Sequence, residues 1–216
     1  MHERLAALRG RYAGAQLYII GKGPSLRGFA PFDEFRDKVC IGINNVYQYF
    51  PGCSYSVMWH REFFANDADY LRKQQDFFVV YSSFHGFPEN EIENGVNVEY
   101  AAEFPLPDQV EGTVAYWRES PDRWMYKSTY ATAVRLAWWM GAKRITMAGF
   151  DFSLDAGRTA QDDVLDVPVK LRNYTVEQIL ALQAVAYRNL HDQLAQDGVL
   201  LERIFPADTE PVVSLP

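Results

Sequence analysis

The sequence has little cysteine, little histidine, no basic excess and no long apolar run. Cys40 and Cys53 are the two cysteines in 216 residues. Neither belongs to a CxxC or CxxH pattern, so structural zinc sites and a disulfide scaffold are left out. Cys40 lies inside an apolar strand pattern and reads as a buried thiol. This cysteine usage sets the expectation of a reducing, cytoplasmic protein. No apolar stretch approaches the roughly 20 residues a membrane span needs, and the opening MHERLAALRGRYAG reads as a short amphipathic helix, not a signal peptide. Lys and Arg total 21 against 28 Asp and Glu, a net charge of −7, and the pI is about 5.1. That balance argues against a nucleic-acid backbone as the main partner, while leaving room for a local basic pocket around a small phosphorylated molecule. Internal repeats, low-complexity tracts, a Walker A loop and a complete GxGxxG fingerprint are all missing.

What is present is an ordinary globular composition, 48% apolar and 23% charged, in a chain long enough to bury a full core as one domain over residues 1–216. Short apolar runs alternate with helical patterns, which predicts an α/β fold: a mainly parallel, Rossmann-like sheet with helices on both faces. The predicted strands are Leu17 to Ile20, Lys38 to Asn44, Tyr55 to His60, Asp76 to Ser83, Val96 to Ala101, Arg144 to Gly149 and Val199 to Phe205. Helical periodicity is strong in STYATAVRLAWWMGAKR from Ser128 and over about 175–196. Two segments lack a period. Residues 102–124, rich in proline, charge and aromatics, read as a lid-like insertion, and residues 151–171 as a second irregular stretch. Tyr116, Trp117 and Trp124 fit an acceptor cleft or a subunit contact equally well, which leaves a homo-oligomer open.

The densest motif is LYIIGKGPSL. Gly21 and Gly23 follow a buried strand, where a tight turn needs positive φ or close backbone approach, and glycine supplies both. Successive N–H groups in such a turn form a concave anion site, with Lys22 adding a cation, Pro24 stiffness and Ser25 a hydroxyl. A second candidate anion site lies at Lys127, Ser128 and Thr129, where a helix begins; an ordinary Ser/Thr cap fits those residues as well. Further polar groups end other strands: Asn44 and Asn45 the second, His60 the third, and Asp151 the strand before AGFDF. In open parallel sheets ligands bind beyond the carboxyl ends of strands, so GKGPSL, Asn44, His60 and Asp151 are expected at one edge.

LYIIGKGPSLRGF, CIGINNVYQYF and KSTYATAVRLAWWMGAKRITMAGFDF together resemble bacterial sialyltransferases of the single-domain, modified Rossmann type. They resemble equally the broader family containing archaeal 6-hydroxymethylpterin diphosphokinase and flagellin-glycosylation accessory proteins. The resemblance covers roughly residues 16–60 and 126–155. For the sialyltransferases it implies a CMP-sugar donor held by Gly21, Gly23, Pro24, Ser25 and Asn44, approached by Ser128 and Thr129, with His60 at a further donor-contacting position. Two family features are missing. The histidine base before the last long helix is replaced by VKLRNYT (Val169 to Thr175), and the two tyrosines after G[FI]DF by SLDAGRTAQDD, where Arg158 is the evident phosphate partner.

Three functions remain in view. A nucleotide-sugar-dependent glycosyltransferase is favoured. It needs no metal, and it would use Lys22 and Arg158 at the leaving phosphate and His60 or Asp151 as base, with His85 in reserve. A diphosphokinase would need Mg and ATP, with Asp151 and Asp155 as oxygen ligands; the Asp67–Asp69 pair reads as a capped acidic helix start. A non-catalytic nucleotide-binding accessory protein would keep the pocket without the chemistry. Under all three the partner is a nucleotide or nucleotide sugar, and the acceptor is unknown.

Overall fold

The computed structural model describes residues 3–48, 50–58, 78–82, 95–98, 114–119, 129–152 and 176–207. Its strands are β1 (Gln16–Ile20), β2 (Cys40–Ile43), β3 (Tyr55–Val57), β4 (Phe78–Ser82), β5 (Gly95–Val98), β6 (Arg144–Ala148) and β7 (Leu200–Ile204). They form one seven-stranded sheet in the order β5-β4-β3-β2-β1-β6-β7, and every pairing is parallel. This is the Rossmann-like α/β architecture that the alternation of apolar runs predicts. The central strands read as nearly unbroken apolar runs because both their faces are covered: every residue of CIGI in β2 is buried.

The register puts Leu17, Ile19, Ile41, Ile43, Ile145, Met147 and Leu201 on one face of the sheet. These join the larger core with helices α1 (Glu3–Ala7), α2 (Val114–Glu119), α3 (Thr129–Trp139) and α4 (Val176–Gln196). The opposite face, carrying Ile20, Cys40 and Ala148, is covered by short 3-10 turns at 24–29, 33–35 and 46–48, whose Leu26, Phe29, Phe35, Val46 and Tyr47 make a second core. Both cysteines are buried free thiols, as the strand pattern implied for Cys40. No helix among the described residues is long and apolar enough to cross a membrane.

α3 is apolar almost all round and is buried on nearly every side, packed against β1, β2, β3 and β6. It stops earlier than its sequence period suggests. Gly141 takes φ +88, its N–H bonds the Trp138 carbonyl at 2.9 Å, and the Ala142 N–H reaches the Ala137 carbonyl at 3.1 Å. That Schellman closure satisfies carbonyls left open at the helix end. Gly198 ends α4 in the same way, with the Val199 N–H on the Leu194 carbonyl at 2.9 Å. Each closure turns the chain straight into the next strand, β6 or β7.

One sequence expectation needs correction. The stretch 102–124 is not aperiodic throughout, since Val114–Glu119 is helical. Trp117 does not line a cleft there. It is fully buried, with its ring 5.7 Å from that of Trp138 and 5.9 Å from the guanidinium of the equally buried Arg135. A large aromatic gains more from burial in the core than from solvent. Tyr116 is half-buried. The rest of 102–124, including Trp124, lies outside the described residues, as do residues 153–171 of the second irregular stretch.

Candidate functional site

Strand order reverses at β1. Strands β2 to β5 are laid down on one side of it, and β6 and β7 on the other. β1 is followed by β2 on one side and β6 by β7 on the other, and a switch point of this kind is where open parallel sheets take ligands. GKGPSL follows β1, and Gly149-Phe150-Asp151 follows β6, so the two motifs face each other at this point.

They are in direct contact. The Gly21 N–H donates to the Ala148 carbonyl at 2.8 Å, and the Gly23 N–H to the Gly149 carbonyl at 2.8 Å. Asp151 then reaches across. Its Oδ2 accepts the Ser25 N–H at 3.2 Å and the Ser25 hydroxyl at 3.1 Å. Both side chains are nearly covered, Asp151 7% and Ser25 8% exposed. The N–H and hydroxyl that this turn presents at Ser25 are both taken by the chain's own Asp151.

The reason for glycine here is proximity. Gly23 has φ −63 and ψ 153, an extended conformation open to any residue. A Cβ at Gly23 would overlap Asp151 Oδ2 and lie 2.7 Å from the Gly149 oxygen, and one at Gly21 would overlap that same oxygen. Of the two explanations the sequence allowed, close backbone approach is the operative one. Pro24 opens a 3-10 turn, not an α-helix, and Lys22 is half-buried beside it.

Asn44 closes β2 at φ +53, a left-handed conformation that asparagine tolerates better than most residues. Its N–H bonds the Val57 carbonyl at 2.8 Å, and its carbonyl accepts the Ser56 hydroxyl at 3.2 Å. This puts Asn44 at the same sheet edge, one strand from GKGPSL. Thr129 opens α3. Its neighbour Tyr130 is edge-on to Phe150 and Phe152, with centroids 6.2 and 5.7 Å apart, and its hydroxyl bonds the Gln183 carbonyl of α4 at 2.8 Å. The structure thus gathers Gly21, Lys22, Gly23, Pro24, Ser25, Asn44, Thr129 and Asp151 at the carboxyl edge. His60, Arg158 and Ser128 lie outside the described residues, with His85, Asp155 and the Asp67–Asp69 pair.

Sequence reasoning missed one residue at this edge, Arg203 in β7. Its Nη1 donates to the Phe150 carbonyl at 3.0 Å. Burial pulls its pKa down, opposed by its interactions with Tyr187 and Asp151. A signal was available. In LLERI the alternation puts Arg203 on the same face as Leu201, and a cation on a buried face needs partners.

The fold is that of a Rossmann-like α/β protein, with GKGPSL and Asp151 meeting at the β1–β6 switch point. No family model and no curated protein matches the chain. Among solved structures, the sialyltransferase CstII from Campylobacter jejuni, in complex with the substrate analogue cytidine-5′-monophosphate, is similar at 17% identity and a TM-score of 0.45, covering 88% of this chain and 85% of that one.

Proposed function

We propose that this protein is a nucleotide-sugar-dependent glycosyltransferase, sialyltransferase-like, that takes a CMP-type donor in the crevice between the ends of β1 and β6. The observation that carries this reading is the meeting of GKGPSL and Asp151 across the switch point. The sequence resemblance noted for these same segments agrees with it.

In this reading Gly21, Lys22, Gly23, Pro24, Ser25, Asn44, Ser128 and Thr129 surround the donor. The acceptor hydroxyl forms the new bond to the sugar carbon as the bond from that carbon to the phosphate oxygen breaks. The hydroxyl proton passes to His60 or Asp151 as general base, and the electron pair leaves on the nucleotide phosphate. Lys22 and Arg158 are the cations that stabilise the departing phosphate.

The test is a ligand panel read by thermal unfolding, followed by turnover assays with CMP-, UDP- and GDP-sugars. A cytidine nucleotide at about a hundred times its Kd stabilises the fold by roughly 2.7 kcal/mol, a rise of about 5–10 °C in Tm for a chain of this length. No shift with any nucleotide would overturn the reading. Binding without turnover would replace it by the nucleotide-binding accessory role, and ATP with a pterin as productive substrates by the diphosphokinase.

A further inference from the structure

The turn that presents Asp151 holds a disfavoured backbone conformation at Phe152. Gly149 takes φ +73 and Phe152 φ +54, and a bulky residue in the left-handed region persists only when its surroundings over-determine it. Those surroundings converge on Arg203. Its guanidinium lies 5.4 Å from the ring centroid of Phe152, 5.6 Å from that of Tyr187 and 5.1 Å from that of Phe205. Within this cage it donates to the carbonyl of Phe150, at 3.0 Å, directly before Asp151. The ring of Phe152, directly after Asp151, packs 5.7 Å from that of Tyr187. One side chain therefore grips both neighbours of the carboxylate.

We propose that Arg203 is a positioning residue for Asp151: by holding the Phe150 carbonyl and the Phe152 ring, it fixes the turn so that the carboxylate meets the N–H and hydroxyl of Ser25. A planar, permanently charged fork suits this role, since it bonds a carbonyl in its plane while its faces lie against aromatic rings. Burial acts against its charge, while Tyr187 and then Asp151 favour it. The role does not depend on which ligand the crevice takes.

A double-mutant cycle on the full chain, read by amide NMR, tests it. In the parent background Asp151→Asn moves the Ser25 amide resonance, because a charged acceptor is replaced by a neutral one. In an Arg203→Met background the same substitution moves it severalfold less, since the carboxylate no longer sits on that N–H. Arg203→Lys restores part of the response. Should Arg203→Met fail to fold, Arg203→Gln takes its place, keeping a donor for the Phe150 carbonyl but losing the cation. An equal Ser25 response to Asp151→Asn in both backgrounds overturns the proposal. A merely structural arginine would lower Tm and leave that response intact.

Discussion

Gly23 and Asp151, 128 positions apart in the chain, occupy adjoining space: the carboxylate Oδ2 fills the volume that a Cβ on Gly23 would need. Gly23→Ala forces Asp151 off Ser25 or pushes the Gly149 peptide away from the β1 end. Overpacking of this kind costs about 1–3 kcal/mol. Urea unfolding should show a lower midpoint at unchanged slope. A Gly23→Ala protein as stable as its parent would mean that the two turns do not abut.

His60 carries the chemical prediction. In the proposed reaction His60 is a candidate general base, and loss of a histidine base costs about a hundredfold or more in turnover. His60→Asn is expected to keep nucleotide binding while turnover on the productive nucleotide sugar falls by that factor. Equal losses of binding and turnover would make His60 a donor contact. Full activity in the variant would move the base to Asp151.

Acid stability should trace to Glu202. Its carboxylate takes two bonds from Arg144, at 2.7 and 2.9 Å, and one from the Thr146 hydroxyl at 2.8 Å. The Arg144 bonds chiefly hold its pKa below the ordinary value, with burial opposing. Because the folded-state pKa is the lower one, the contribution is complete above about pH 4.5 and is lost as pH falls through the folded value. Glu202→Gln should lower Tm at neutral pH and flatten its fall as the pH drops below the ordinary carboxylate range. The pair is partly exposed, so the effect is modest and shrinks in high salt.

The cysteines should be silent in the native protein. Burial pushes the Cys40 thiol up to about 12, slightly offset by Lys38, and raises Cys53 well above its ordinary value. The thiolate is the reactive form. At pH 8 a disulfide reagent should therefore label neither cysteine until denaturant is added, and both afterwards. Rapid labelling of Cys40 in the folded chain would contradict its burial in β2.

The sequence by itself determined the sheet and the places where it ends. LYII, CIGI and RITMA are apolar runs bounded by turn residues, a local pattern that survives translation into structure because both faces of a parallel strand must be covered. The GKGPSL turn and Asp151 were legible for the same reason, since a strand followed by glycines, or by Gly-Phe-Asp, announces a chain leaving the sheet at its carboxyl edge. Tertiary structure decided what those residues touch. The strand order puts β6 beside β1, though more than a hundred residues separate them, and periodicity within a segment carries no information about which strand becomes its neighbour. That order makes Gly23 a point of contact with Asp151. It also takes Trp117 from an aperiodic stretch into the core, and turns Arg203 from a polar interruption in an apolar strand into the group that grips both sides of Asp151.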